Sequence, residues 1–243
     1  MIRPRSAMLL AAGLGTRMRP LTEHTAKPLL PLGGSTLLDH ALDRLAAAGV
    51  EEVVVNTFWH ADRVAARLQA RGGPPRTRVL REAALLDTGG SVQAALDLLG
   101  PDPFFVVNSD SFWLDGPSPA LDRLAQTWNE AEADAVLLVH RTFQTRAETG
   151  AGDFALDKLG VVRRRGDREI VPYIYAGIQL VSPGLLRQAP EGRFSMNLAW
   201  DSAIAAGRLR AVVHHGLWFH LSTPADLAEA EIMLHERRTG QSR

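Results

Sequence analysis

The sequence predicts an α/β fold built around a mostly parallel central sheet. Short apolar runs alternate with amphipathic helical segments through the first half of the chain, and glycine or proline stands at many of the boundaries between them. Apolar strands separated by helices are typical of a parallel sheet that helices cover on both faces. Ligands of such folds bind at the carboxyl ends of the strands, where we expect the functional site.

The elements follow from this pattern in chain order. In the first half we expect strands at 7–12, 53–56, 77–80, 104–108 and 135–140, and helices at 37–48, 61–70, 90–99 and 119–130. In the second half we expect strands at 152–156, 161–164, 174–180 and 209–214, and helices at 197–206 and 224–237. No proline- or serine-rich linker divides the chain, so a single domain of 243 residues is predicted.

The composition argues against several classes of function. Lys and Arg together number 27, as do Asp and Glu, and this neutral balance argues against broad binding of nucleic acid or anionic membranes. The chain has no cysteine, which excludes disulfides, a cysteine nucleophile and cysteine-based metal centres. No apolar run reaches the length of a membrane span and no targeting segment is recognisable, so we expect a cytoplasmic protein.

A locally basic glycine loop follows the first predicted strand. Gly13 and Gly15 lack a Cβ, so the backbone N–H groups there can approach an anion closely, and Arg17 adds a fork that matches phosphate oxygens. Lys27 is a rare lysine in a chain that otherwise uses arginine. This choice of residue indicates that the position requires a compact ammonium group. The Gly-x-Gly alone also suits a tight turn, and it fits neither the dinucleotide fingerprint nor a Walker A loop.

The complete motif is more specific than the glycines alone. The segment LLAAGLGTRMRPLT at 9–22, followed by Lys27-Pro28, resembles the sugar-1-phosphate nucleotidyltransferases. The same resemblance is carried by VNTFW at 55–59, DTGG at 87–90, VNSD at 107–110, GDF at 152–154 and YAGI at 175–178. Within this family the likeness is to the bacterial N-acetylmuramate-1-phosphate uridylyltransferases, and it is densest over 7–110.

The resemblance implies a Rossmann-like nucleotidyltransferase fold that transfers UMP from UTP to a sugar 1-phosphate, with Mg²⁺, in the recycling of cell-wall (peptidoglycan) sugars. It implies a nucleotide-binding part at 1–140, a smaller sugar-binding part at 141–223 and a final helix at 224–237. Arg17, Lys27 and Asp110 are the implied catalytic residues, and Asp110 is the implied metal ligand. The implied nucleotide-binding residues are Leu10, Ala11, Ala12, Gly13, Gly15, Thr16, Arg17, Lys27, Glu82, Asp87, Thr88 and Gly89, and the implied sugar-binding residues are Asn108, Gly152, Asp153, Tyr175 and Gly177.

Several of these positions also have an ordinary structural interpretation. Asp110 suits a helix N-cap or a turn, and Glu82 suits a solvated charge beside Arg81. An ionised Glu82 can only accept hydrogen bonds, which favours uracil or guanine because their ring N–H donates. A glycine within a strand marks either a close ligand or a bulge. The run 163–165, three arginines, resembles a clamp for the sugar phosphate and equally suits a solvated strand end.

The chain departs from the family pattern in two places. Relatives commonly carry a second metal-binding Asp in the string WxDxGT, whereas 218–223 reads WFHLST and places His220 at that position. Magnesium prefers oxygen and imidazole suits transition metals, so His220 is a doubtful ligand and Mn²⁺ is an alternative ion. Many relatives also hold the sugar phosphate with a Glu-Lys-Pro string, but Glu169-Ile170-Val171-Pro172 lacks the lysine, so no residue is assigned to that contact.

Two other functions stay open at this point. One is a GTP-dependent mannose- or heptose-1-phosphate guanylyltransferase, and the other is a nucleotide-sensing module that keeps the fold without the chemistry. The expected partners are small-molecule substrates, and the sequence does not indicate an oligomeric state. A nucleic-acid-binding protein conflicts with the neutral charge and with the lack of an aromatic and basic stripe.

Overall fold

The computed structural model describes residues 2–145 and 150–240 of the chain. The helices are α1 (Leu37–Ala47), α2 (Ala61–Arg71), α3 (Asp87–Ala94), α4 (Leu96–Leu99), α5 (Ala120–Thr127), α6 (Pro183–Arg187), α7 (Met196–Ala205) and α8 (Pro224–Thr239), with 3-10 turns at Thr16–Met18, Lys27–Leu29 and Thr142–Gln144. The strands are β1 (Ser6–Leu10), β2 (Pro31–Leu32), β3 (Ser35–Thr36), β4 (Glu52–Thr57), β5 (Arg76–Arg81), β6 (Phe104–Asn108), β7 (Ser111–Leu114), β8 (Ala135–Arg141), β9 (Phe154–Leu156), β10 (Val162–Arg164), β11 (Tyr173–Val181), β12 (Leu209–Val213) and β13 (Leu217–His220).

A nine-stranded sheet forms the centre of the molecule. Its order is β10-β9-β11-β6-β1-β4-β5, and β8 pairs with both β11 and β12. Strands β1, β4, β5 and β6 are parallel, whereas β10 and β11 run opposite to the other strands of the sheet. The chain passes from β1 to β4 and β5 on one side and then returns to place β6 on the other side of β1. Ligands of open α/β sheets bind at such a switch in strand order.

Apolar side chains cover both faces of this sheet. Leu9 and Val55 point to the core that α1, α2 and α5 cover, whereas Met8 and Val54 point to the core beneath α3, α4, α6 and α7. Successive residues of a strand face opposite sides, so a strand buried on both faces must be apolar throughout. The predicted α/β fold with a mostly parallel central sheet is therefore confirmed. Among the described residues, no helix combines the length and apolar character that crossing a membrane requires.

Some elements differ from the sequence prediction. The helix expected at 90–99 begins earlier, at Asp87, and is divided into α3 and α4 around Ala95. The sequence also gave no indication of helix α6 or of two small sheets, β2–β3 and β7–β13, whose strands have two to four residues. The second small sheet matters for the site because it pairs His220 with Ser111, the residue after Asp110.

The last helix is fixed at its start by a capping box. The Thr223 hydroxyl accepts a hydrogen bond from the Asp226 N–H, and the Asp226 carboxylate accepts from the Thr223 N–H. Such reciprocal bonds satisfy backbone donors that have no partner within the helix. The same carboxylate accepts from the Ser222 N–H, so it also holds the short link between β13 and α8 in place.

Candidate active site

A cavity of about 400 Å³ opens at the carboxyl ends of β1, β4 and β6, and we call it the glycine-loop cavity. A second cavity of about 340 Å³, the adjoining cavity, shares Leu10, Asp87, Thr88 and Asn108 with it. The rest of the glycine-loop cavity is lined by Ala11, Ala12, Gly13, Lys27, Pro28, Asn56, Glu82, Leu85, Ser91, Ser109, Asp110 and Arg193. The structure thus brings predicted nucleotide-binding residues and two predicted catalytic residues to one place.

The glycine loop presents free backbone donors to this cavity. Within the described parts of the chain, the N–H groups of Ala12, Gly13, Leu14 and Gly15 donate no hydrogen bond. Gly13 faces open space, because a Cβ built there would meet no atom within 4 Å. Gly15 has a φ of +62° and its carbonyl accepts from the hydroxyl of Thr22 at 2.7 Å. A left-handed residue held in this way turns the loop, and successive free N–H groups form a suitable place for an anion.

Asn56 holds the start of the loop, and sequence reasoning gave it no role beyond a motif. It is buried, its Oδ1 accepts from the Ala11 N–H at 2.7 Å, and its Nδ2 donates to Glu82 Oε1 at 2.8 Å. The same Glu82 oxygen accepts from the hydroxyl of Ser91 at 2.6 Å. This network ties β4, β5 and α3 to the loop. An amide at the end of an apolar strand was the signal that could have identified it.

Glu82 therefore serves a structural purpose as well as lining the cavity. Its Oε1 is shared by Asn56 and Ser91, and its Oε2 lies 3.4 Å from the Leu86 N–H. A carboxylate has about four lone-pair positions, so capacity to accept a further bond is left. Its contact with a nucleobase stays a prediction.

Lys27 and Asp110 form an ion pair in the cavity. Lys27 Nζ lies 2.7 Å from Asp110 Oδ2, although the two residues are 83 positions apart in the sequence. The Lys27 side chain is 12% exposed and that of Asp110 is 30% exposed, so both are accessible from the cavity but shielded from bulk water. Charge interactions in such positions are stronger than at an open surface. Arg17, the third predicted catalytic residue, lies exposed on the neighbouring 3-10 turn.

His220 lies beside this ion pair. Its Nε2 is 2.6 Å from the hydroxyl of Ser222. Burial lowers the pKa of the imidazole; Asp110 opposes this effect, and the nearby cations Lys27 and Arg17 lower the pKa further. A neutral imidazole adds no charge to the site, and the second carboxylate that acts on it, Asp226, already accepts from two backbone N–H groups, so Asp110 is the one of the two carboxylates that faces the glycine-loop cavity.

The donor set suits a divalent ion that is shared with a phosphate. Asp110 supplies carboxylate oxygens, which Mg²⁺ prefers, and one or two protein carboxylates together with substrate phosphates are its usual ligands. Among the residues that the structure describes, no group of three or more His, Asp or Glu side chains could hold a metal by itself. An ion at Asp110 would therefore depend on ligands that the nucleotide brings.

The 87–90 segment packs against a neighbouring loop, in addition to lining the cavities. The N–H groups of Gly89 and Gly90 donate to the Phe194 carbonyl at 2.9 and 3.0 Å, and a Cβ on Gly89 would overlap the Phe194 ring. Gly89 lines neither cavity, so these contacts account for it without a ligand. Asp87 and Thr88 do line both cavities, and the Thr88 hydroxyl accepts from the Met196 N–H at 2.9 Å.

Three of the predicted sugar-binding residues meet in the adjoining cavity, namely Asn108, Asp153 and Tyr175. Asp153 Oδ2 accepts from the Tyr175 N–H at 2.9 Å, which fixes β11 against the segment before β9. The Tyr175 hydroxyl is buried and has no hydrogen-bond partner in the described structure. Burial raises the pKa of this phenol, so it stays protonated and can donate.

The two glycines predicted for sugar binding have structural explanations. A Cβ on Gly177 would overlap the hydroxyl of Ser111, and the strand pairing between β11 and β8 shifts register between Tyr175 and Gln179. A Cβ on Gly152 would overlap the Val171 carbonyl. Both have positive φ, and neither lines the adjoining cavity. The bulge interpretation of Gly177 is thus the one that the structure supports.

A larger cavity of about 640 Å³ lies between β13 and α8. Its lining includes His220 and Asp226 but none of the glycine loop, Lys27 or Asp110. We place the candidate active site at the glycine-loop cavity instead, because there the free N–H groups, the cations and the carboxylate converge.

Comparison with known proteins shows the family of the chain. The family model for the MobA-like NTP transferase domain matches residues 7–228. The chain is 41% identical over 237 residues to an N-acetylmuramate alpha-1-phosphate uridylyltransferase of Caulobacter vibrioides, and the match covers 96% of this chain and 98% of the relative. A protein of the same name from Neisseria meningitidis is 32% identical, with 93% and 97% covered.

Solved structures with the same fold include a UDP-glucose pyrophosphorylase in complex with UDP-glucose. Its TM-score is 0.81 at 15% identity, and the match covers 98% of this chain and all of the other. HddC from Yersinia pseudotuberculosis, complexed with GMP-PN, has a TM-score of 0.75 at 19% identity and covers 94% of this chain. The family model spans most of the chain and the two sequence relatives are matched over almost their whole length, so the chain belongs to the MobA-like NTP transferase family, as a sugar-1-phosphate nucleotidyltransferase.

Proposed function

We propose that this protein transfers UMP from UTP to N-acetylmuramate 1-phosphate and releases pyrophosphate, as a step in recycling cell-wall sugars. The observation that carries the proposal is the 41% identity to a uridylyltransferase of that specificity over nearly the whole of both chains. Mannose-1-phosphate guanylyltransferases are also relatives, but the one from Mycobacterium tuberculosis is 28% identical and this chain spans 62% of its length. This difference favours UTP over GTP.

The reaction joins two anions, and the residues of the site address that repulsion. A phosphate oxygen of the sugar attacks the α-phosphorus of UTP and a new P–O bond forms. The bond from the α-phosphorus to the bridging oxygen of the β-phosphate breaks, and pyrophosphate leaves with the electron pair. No general base is needed, because a phosphate monoester with a second pKa of about 6 is largely dianionic at neutral pH.

The chain's own groups position the reactants and neutralise charge. Free N–H groups from Ala12 to Gly15 hold the triphosphate, Lys27 stabilises charge at the α-phosphate, and Arg17 faces the leaving pyrophosphate. Asp110 would hold Mg²⁺, or Mn²⁺ as the alternative, which would supply further positive charge to the phosphate oxygens. Catalysis of this type rests on positioning and electrostatic stabilisation.

Two alanine variants test the catalytic roles. We expect Asp110→Ala and Lys27→Ala to fold normally and to lose about 100- to 1,000-fold in turnover, the usual effect of removing one such contact, about 2.7–4 kcal/mol. The exposed residues Asp97 and Lys158 provide matched alanine controls that should keep full activity. Pyrophosphate release is the readout. Wild-type turnover by folded Asp110→Ala would eliminate the role of that carboxylate.

A substrate matrix tests the reaction itself. Four nucleoside triphosphates are combined with N-acetylmuramate, glucose and mannose 1-phosphates, each with Mg²⁺ and with Mn²⁺. The proposal expects the fastest pyrophosphate release from UTP with N-acetylmuramate 1-phosphate. Preference for GTP with mannose 1-phosphate would replace the proposed uridylyl transfer by guanylyl transfer. Tight UTP binding without pyrophosphate release with any sugar 1-phosphate would indicate a nucleotide-sensing module.

A further inference from the structure

The two neighbouring arginines of β10 have different surroundings. Arg163 points to solvent and pairs with Glu169 at 2.7 and 2.6 Å. Arg164 points to the other face of the strand, is half-buried and lines the adjoining cavity. Alternate residues of a strand face opposite sides, so Arg164 faces the adjoining cavity and Arg163 faces away from it. The interpretation of the whole run as a solvated strand end does not hold for Arg164.

The Arg164 guanidinium is held in a defined orientation. Its Nε donates to Asp201 Oδ1 at 2.7 Å and its Nη2 donates to Asn197 at 3.0 Å. It lies 5.1 Å from the ring centre of Phe154 and 5.8 Å from that of Trp200. Nη1 makes no hydrogen bond to any described residue. A planar guanidinium fixed on one edge, with a donor left on another, is prepared to bind a carboxylate at little entropic cost.

Arg164 is the sole Lys or Arg side chain that lines the adjoining cavity within the described chain, whereas two carboxylates, Asp87 and Asp153, line the same walls. An acidic substituent entering this cavity would meet repulsion unless Arg164 compensated it. The cation of the phosphate-transfer chemistry, Lys27, lines the other cavity. The reacting phosphate therefore has its own counter-charge, and Arg164 is available for a second anionic group.

Tyr175 is a second polar residue that lines this cavity. In the described structure its buried hydroxyl has no partner in hydrogen-bonding geometry, although Gln179 lies close enough to lower its pKa, and the Gln179 Oε1 accepts from Trp200 Nε1 at 2.8 Å. Buried polar groups are rarely left unpaired unless a water or a ligand completes them. Arg164 and Tyr175 thus line one cavity, and the Tyr175 oxygen itself lies beneath its surface.

We propose that Arg164 recognises a carboxylate on the sugar ring and makes the protein select a sugar 1-phosphate with an acidic substituent over its neutral counterpart. The inference rests on the proposed function and names the residue that would determine its acceptor. The lactyl ether of N-acetylmuramate 1-phosphate carries such a carboxylate, and N-acetylglucosamine 1-phosphate is the same sugar without it.

The test compares kcat/KM for these two acceptors in wild-type protein, Arg164→Gln and Arg163→Gln. A charge-assisted hydrogen bond lost at Arg164 should reduce kcat/KM for the acidic sugar about 10- to 100-fold, mainly through KM, and should lower the acidic-to-neutral selectivity ratio by the same factor. Arg163→Gln, the matched neighbour that lines no cavity wall, should keep the wild-type ratio. UTP affinity, measured in parallel, should be the same in all three proteins, and thermal unfolding checks that each variant is folded at the assay temperature, since Arg164→Gln also removes the ion pair with Asp201.

Other results would overturn the inference. An equal loss for both sugars would mean that Arg164 binds the phosphate or only holds α7 in place. An unchanged ratio in Arg164→Gln, or equal use of both sugars by the wild type, would remove the selectivity role while leaving uridylyl transfer intact. Failure of the wild type to use either sugar would instead refute the proposed function, and the Arg164 proposal with it.

Discussion

Replacement of Asn56 by alanine should weaken both the fold and the nucleotide site. The variant leaves the Ala11 N–H without its acceptor, and Asn56 is 2% exposed, so water cannot easily replace it. An unsatisfied buried donor costs about 1–3 kcal/mol. Glu82 also loses the donor at 2.8 Å, but its carboxylate is only half-buried, so we add about 1 kcal/mol for a single net hydrogen bond. The expected loss is therefore about 2–4 kcal/mol.

Urea unfolding and UTP titration measure this prediction. With a denaturant slope of about 2–3 kcal/mol/M, the midpoint should fall by about 1 M or slightly more. The loop that follows Ala11 carries the free N–H groups, so UTP affinity should fall about 10-fold, equivalent to about 1.4 kcal/mol. Ser91→Ala, which removes one donor to Glu82, should lose only about 1 kcal/mol, and Gln126→Ala on the exposed face of α5 almost nothing. A wild-type midpoint and UTP affinity in Asn56→Ala would refute the reasoning.

Two further predictions concern strain and pH. Gly177→Ala places alanine in a left-handed conformation, which costs about 1–2 kcal/mol, and also brings its Cβ against the Ser111 hydroxyl. The control Gly207→Ala is also left-handed, but no atom lies within 4 Å of its Cβ, so Gly177→Ala should destabilise the protein more. Equal unfolding midpoints for the two variants would contradict this prediction. Burial lowers the pKa of His140 and of His214 below the ordinary 6.5, so the unfolded chain takes up protons that the folded chain resists. The contribution of these two histidines to stability should therefore be fully present above pH 6.5 and should be lost as the pH falls. Urea unfolding of the His140→Asn, His214→Asn double variant should show a smaller loss of stability on acidification. A loss identical to that of the wild type would show that these histidines do not cause it.

The sequence was most informative where periodicity and composition decide the structure. Strand β6 was predicted at its observed bounds, because an apolar run such as 104–108 is stable only when buried on both faces. The small sheet β7–β13 was missed, since four-residue strands have too few residues for a period to emerge. Long-range pairing of this kind placed His220 beside Asp110, which hydrophobic periodicity could not indicate and only the likeness of 218–223 to the WxDxGT string suggested.

The sequence predicted more of the residues that line the glycine-loop cavity than of those that line the adjoining cavity. Glycine and basic residues close together in the sequence signal a phosphate loop, and Lys27 was assigned from a local motif. The family resemblance implies ligand contacts for Gly89 and Gly177, and the sequence leaves a bulge as the alternative at Gly177. The space next to the two Cα atoms is filled by Phe194 and Ser111, which the sequence alone cannot place nearby. The sequence leaves open whether Arg164 binds a ligand or is solvated for a related reason: only the packing of β10 against α7 distinguishes it from Arg163.

The order of strands in the sheet has a consequence for how such an enzyme can change its substrate. The residues proposed to contact the nucleotide lie in or after β1, β4 and β5, whereas the cavity that Arg164 lines is walled by β9, β10, β11 and α7, at the opposite side of β1. The two walls meet only along a seam at Leu10, Asp87, Thr88 and Asn108. Under the proposed function, substitutions on the wall formed by β9, β10, β11 and α7 can therefore change which sugar is accepted while the residues that hold the nucleotide stay the same.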